Sequence, residues 1–234
     1  MAPGQTVQTT WTVTAAADAA PGSYDLTAGA RFAGPGGQAS ATSFSSVTVA
    51  YPSLAAAFDN TAITDDSAPT LGNFDGDGNS YSAEALVAAG ITPGGPVTSG
   101  GITFTWPDAA PARPDNVIAQ GQTIALSGSG ATLGLLGTGV NGSFTGTGTV
   151  YYTDGSTQSF TVSYVNWTSG APPAGDTVVA QTSYLNTQAG QLSRPRYLYA
   201  AFVPLEASKT VEAVQLPTAG TGVSAIHLFA LGIG

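Results

Sequence analysis

One pattern runs through most of the chain: short segments of alternating apolar and polar residues, each closed by a turn rich in Gly, Pro, Asn or Asp. GITFTW, NVIAQ, TIALSG, ATLGLLG, GTGTVYY, QSFTVSYVNW, DTVVAQTSY, RYLYAAFVPL, VEAVQLP and AIHLFALGI follow one another from Gly101 to Ile233. A period of two places alternate side chains on opposite faces of a sheet, and segments this short with turns between them predict antiparallel pairing. Thr153-Asp-Gly155, between GTGTVYY and QSFTVSY, is the clearest hairpin signal. One helix is predicted, Ser82 to Ala89, stopped by Gly90, a residue favoured just past a helix C-terminus. The predicted fold class is all-β, a β-sandwich of jelly-roll kind.

Composition narrows the function. Charged residues make up 8% of the chain, about a third of the ~25% usual in soluble domains. The polar surface therefore comes from Thr, Ser, Asn, Gln and Gly, as in many extracellular β proteins. The formal net charge is −9, and the five basic residues, Arg31, Arg113, Arg194, Arg196 and Lys209, are spread along the sequence. No cationic stripe follows a phosphate backbone, which argues against nucleic acid and anionic membranes as partners. There is no Cys, and His227 is the only His. Thiol chemistry, disulfides and His-based metal clusters are excluded, so a bound metal would be a hard ion held by oxygen. No run of 18 apolar residues is present, which removes a membrane-spanning helix from the reading. MAPGQTVQTTW lacks the charged and apolar regions of a signal peptide and starts inside a strand-like alternation. A truncation or an internal start would produce such a beginning.

Two segments are expected. In residues 1–52, Val7, Trp11 and Val13 share one parity, Tyr24, Leu26, Ala28, Ala30 and Phe32 another, and SFSSVTV closes the segment. PGQTVQTTWTV, APGSYDLTA and SVTVAYPS resemble the last strands of the immunoglobulin-like domain that accompanies bacterial alpha-galactosidases, which implies a partial domain of that kind. Residues 53–234 have the size of one jelly-roll. There AFDNTAITDD, GNFDGDGNSYSAEALVAAGITPGGPV, ITFTWPD, LGLLGTGVNGSFTGTGTVYYTDGS and AIHLFALGIG resemble the galactose-binding-like β-sandwich at the C-termini of actinobacterial secreted glycosidases. The resemblance implies an extracellular accessory region joined to the catalytic domain of a glycoside hydrolase.

The sharpest local motif is Asn73 to Glu84, NFDGDGNSYSAE. Asn73, Asp75 and Asp77 stand at positions 1, 3 and 5, Gly78 at 6 and Glu84 at 12, the spacing of a calcium loop. Asn at position 1 and the lack of a preceding amphipathic helix argue against a helix-loop-helix hand. Two readings stay open. In one, a structural calcium is held by some of Asp59, Asp65, Asp66, Asn73, Asp75, Asp77 and Glu84. In the other, the segment is a surface turn whose side chains cap backbone amides and the following helix.

Catalysis has little support. Glycoside hydrolysis needs two facing carboxyls, one with a raised pKa, and most acids here sit in Gly- and Pro-rich loops. A serine nucleophile would need a base, and His227 alternates with apolar residues in a strand. Sugar binding asks for an aromatic ring against a pyranose together with amide or charged groups for its hydroxyls. Trp106, Trp167, Tyr81, Tyr184, Tyr197 and Tyr199 supply rings, each with core packing as its default role. Trp167 precedes the loop TSGAPPAGD, and Tyr184 and Asn186 lie in a polar loop near Arg194 and Arg196. Trp167, Tyr184, Asn186, Arg194 and Arg196 are the predicted carbohydrate contacts. The expected function is a non-catalytic module that binds a polysaccharide or other glycan, with a structural spacer as the alternative.

Overall fold

A computed structural model of the protein describes residues 8, 10–16, 18–34 and 37–234. The chain divides into two compact units, Met1–Val49 and Ala50–Gly234. In the first, β1 (Gly22–Gly34) and β2 (Gly37–Val49) form one antiparallel hairpin, in register from Gly22 opposite Val49 to Gly34 opposite Gly37. The two later alternating segments are thus strands, and they pair with each other. The earliest one does not: residues 8 and 10–14 are outside any strand, and Val7 lies outside the described residues.

The second unit carries the sandwich. Its elements are β3 (Ile63–Thr64), β4 (Ser80–Ser82), α1 (Ala83–Ala88), β5 (Pro96–Ser99), β6 (Ile102–Thr105), β7 (Val117–Ile118), β8 (Thr123–Ser129) and β9 (Thr132–Gly139). They continue with β10 (Phe144–Tyr152), β11 (Thr157–Tyr164), β12 (Thr177–Thr182), β13 (Leu185–Thr187) and β14 (Gly190–Leu192). The last are β15 (Arg196–Pro204), β16 (Thr210–Thr218), β17 (Gly220–Thr221) and β18 (Ser224–Ile233). A four-stranded sheet has the order β11-β10-β16-β8. A six-stranded sheet runs β12-β15-β9-β18-β17, with β7 also paired to β18. A small sheet, β14-β13-β4-β3, and the hairpin β5-β6 complete the unit.

Alternation in β9 explains the layering. Leu133 and Leu135 pack with Val150, Tyr152, Phe160 and Tyr164 of the four-stranded sheet. Leu136, on the opposite parity, packs with Ile102 and Phe104 of β6, Trp106 just after it, Tyr81 of β4 and Leu86 of α1. The six-stranded sheet is therefore covered on both faces, and β9 and β18 are buried along most of their length. A strand with no solvent face has no reason to carry polar residues, which is why ATLGLLG and AIHLFALGI read as nearly continuous apolar runs.

Local chemistry places α1 where expected. The Ser82 hydroxyl accepts a hydrogen bond from the Ala85 amide at 3.0 Å, closing the first turn. Gly90 follows the C-terminus at φ +89°, the left-handed region that side chains resist. At the predicted hairpin, the Gly155 amide donates to the Tyr152 carbonyl and joins β10 to β11. The strands of the second unit bear out the all-β sandwich.

Candidate functional site

Backbone pairing brings several predicted contact residues together. The Tyr197 amide donates to the Trp167 carbonyl at 2.8 Å, anchoring the loop after β11 to the start of β15. On β15, Arg196 shares the face of Leu198 and Ala200 and lies over Trp167, its guanidinium carbon 4.7 Å from the ring centroid. Trp167 is not a surface platform. It is 2% exposed, its ring edge-on to Phe74 and Tyr81 at 5.0 Å between centroids. A polar loop follows Trp167, but the ring itself turns inward because Phe74, Tyr81 and Arg196 form a slot around it.

Asn186 is likewise structural in position. It is buried, and its Nδ2 donates to the Thr64 carbonyl and hydroxyl at 3.1 Å, fastening β13 to β3. Tyr184 is half-buried and donates its hydroxyl to Asp66 Oδ2 at 2.6 Å. Burial alone would raise the Asp66 pKa, but hydrogen bonds from Ser82, Tyr184 and Asn186 outweigh it and hold the carboxyl below its ordinary range. Arg194 is exposed, while Arg196 is almost sealed.

The acidic loop is built on its own amides. Asp75 Oδ1 accepts from the Asp77 and Asn79 amides at 2.9 and 3.2 Å, and Oδ2 accepts from Asn79 Nδ2 at 2.6 Å. Asn73 Oδ1 takes the Gly78 amide at 2.8 Å. Glu84 sits in the first turn of α1, and both its oxygens receive the Asp66 amide. Asp59 Oδ1 accepts from Ile118 across to β7. Asp65 is half-buried and Asp77 is exposed. Among the described residues, no three acidic or His side chains converge as a metal ion would require. Asn73 and Asp75 thus accept from backbone amides, the contacts that the capped-turn reading describes.

A second polar cluster escaped the sequence reading. Asp115, just before β7, accepts from the Ala62 amide at 3.0 Å and the Ile63 amide at 2.9 Å. Asn116 Nδ2 donates to Asp115 Oδ1 at 2.8 Å, and Asn116 Oδ1 lies 2.7 Å from His227 Nδ1. His227 Nε2 meets the Val223 carbonyl at 2.9 Å. Burial pushes the Asp115 carboxyl up to about 7 and the His227 imidazole down to about 4, each favouring its neutral form. This network ties the 60–63 segment to the middle sheet. Its only sequence signal was the polar pair Asp-Asn entering an apolar strand.

Sequence reasoning also missed a groove on this unit. It has a volume of about 670 Å³ and is floored by Ile124, Leu126, Trp106, Phe229 and Leu231. Ser53, Thr103, Thr105 and Asp108 supply its polar groups. Thr103 and Thr105 point outward from β6 because Ile102 and Phe104 alternate with them into the core. Trp106 stacks on Phe229, centroids 5.0 Å apart and planes 15° from parallel. None of the predicted contact residues lines this groove.

The fold and these sites define an all-β sandwich module, in which Asp115, buried, accepts from the Ala62 and Ile63 amides. Residues 50–233 match the model of the AziU2-like beta-sandwich domain, and the chain belongs to that family. Residues 1–33 match the NPCBM-associated, NEW3 domain of alpha-galactosidase. Both matches are to domains consistent with a non-catalytic accessory role. No curated protein matches the chain.

Proposed function

We propose that the protein is a glycan-binding accessory module of a secreted glycoside hydrolase, and that the sandwich takes its sugar in the groove beside β6. The groove carries this reading: an apolar floor beside Thr103, Thr105 and Asp108 offers both surfaces that a pyranose presents, its C–H face and its hydroxyls. The NEW3 match supports attachment to a glycosidase of the alpha-galactosidase kind. Titration against a panel of neutral and acidic oligosaccharides tests the reading. Saturable binding that weakens about tenfold in Thr105→Val and Asp108→Ala is expected. No binding anywhere on the panel would sink it.

The inward packing of Trp167 and Asn186 favours a second reading, a spacer that docks on its catalytic domain without a ligand. That reading predicts an unresponsive panel.

A further inference from the structure

Arg196 is 9% exposed, and a guanidinium stays charged when buried. A desolvated charge is costly unless an opposite charge or hydrogen bonds compensate it. The chain has 14 acidic residues against five basic ones, so a carboxylate partner would be easy to supply. None is supplied. Among the described residues the one ion pair is Lys209 with Asp154. Asp75 acts on Arg196 from a distance, but both its oxygens are taken up by its own loop.

The guanidinium is correspondingly under-satisfied. Nη1 donates to the Pro195 carbonyl at 2.8 Å, and Nε is buried without an acceptor. No hydrogen bond joins Nη2 to another described residue, and it is not one of the buried unpartnered atoms. Directly across the β12–β15 ladder stands Thr182, 1% exposed, whose hydroxyl is also without a partner. Cross-strand partners share a face, so the two groups border one spot. Arg194 adds a second positive charge. It is exposed and close enough that its repulsion counts among the influences on Arg196, after burial. Two of the five basic residues thus stand two positions apart on the chain with no acid paired to either among the described residues, and the Arg196 guanidinium carbon lies over the Trp167 ring, 4.7 Å from its centroid.

We propose that Arg196 and Arg194 form a binding site for a carboxylate, and that its ligand is a uronate residue of an acidic glycan. A planar carboxylate matches the guanidinium fork and would accept from Nη2, with Arg194 reaching it from the solvent side. The sugar identity rests on the glycan reading above, whereas the carboxylate chemistry does not.

Calorimetric titration of the whole chain at low ionic strength, with a galacturonate oligosaccharide, its neutral galactose counterpart and succinate, tests this. The uronate is expected to bind at least about tenfold more tightly than the neutral sugar, and to weaken as salt is added. Arg194→Ala and Arg196→Lys should each lower uronate affinity about tenfold. Arg194 is exposed, so its variant keeps the test valid if Arg196→Lys unfolds. Equal binding of acidic and neutral sugars, untouched by Arg194→Ala, overturns the site and leaves the glycan reading standing. Succinate binding as tightly as uronate, lost in Arg194→Ala, keeps the carboxylate site and removes the sugar. No binding of either acid overturns the site.

Discussion

The guanidinium of Arg196 lies on the ring of Trp167, 4.7 Å from its centroid, and both are nearly closed to solvent. The stack joins the start of β15 to the loop after β11, and through Phe74 and Tyr81 it reaches the acidic loop and β4. Trp167→Ala removes the middle of that stack. Large-to-small changes of a buried Trp cost about 3–5 kcal/mol, so the urea midpoint should fall sharply. Trp167→Phe, which keeps an aromatic face under the cation, should lose less than half as much. Equal losses would show that ring identity and stacking do not matter.

The Asp115–Asn116–His227 network predicts a pH signature of stability. The Asp115 pKa is raised from its unfolded value to about 7, so its contribution is full below about pH 4 and is lost as pH rises toward 7. The His227 pKa is lowered to about 4, so its contribution is full above about pH 6.5 and is lost as pH falls toward 4. The two oppose each other. Asp176, raised to about 6 by burial, adds to the Asp115 trend. Chemical denaturation between pH 4 and 7 should show stability declining with pH, flatter in Asp115→Asn and steeper in His227→Gln. Identical slopes in all three proteins would exclude this account.

Chelation should leave the melting temperature unchanged, and added calcium should not raise it, because a stabilising ion must bind the folded state by linkage. Asp75→Ala, which strips two backbone amides of their acceptor, should cost about 1–3 kcal/mol. Asp77→Ala, at an exposed position, should be nearly neutral. A chelator-induced drop of several degrees would support the calcium reading instead.

Gly139 closes β9 where backbone crowds it: a Cβ there would stand 2.6 Å from the Gly142 carbonyl oxygen and 3.0 Å from that of Val165. At Gly134 the obstacles are the Phe104 ring, at 2.6 Å, and the tip of Ile102. Backbone cannot swing aside as a side chain can. Gly139→Ala should therefore be the more damaging substitution, and Gly134→Ala should fall within the roughly 1–3 kcal/mol of overpacked cores. Thermal melts of the two variants decide it.

The architecture was legible in the alternation. TIALSG, ATLGLLG, RYLYAAFVPL and VEAVQLP each became a strand, and Ser82 with Gly90 bounded the helix, because those features depend on local geometry and turn chemistry. The very short strands β3, β4, β13 and β14 were not legible. At two or three residues they exist only through their partners in the folded chain.

Site residues followed the same division. Sequence alone set residue type and parity: it put Arg194 and Arg196 near Tyr184 and Asn186, and it placed His227 among apolar neighbours. Only the tertiary structure decided which way each side chain went. Trp167 turned inward because Phe74, Tyr81 and Arg196, distant in sequence, form its slot. The groove at Thr103, Thr105 and Asp108 exists because the 53–58 segment, β6, β8 and β18 meet there. Periodicity is a property of neighbours along the chain, whereas burial and a cavity are properties of which distant segments the two covered faces of the middle sheet bring together.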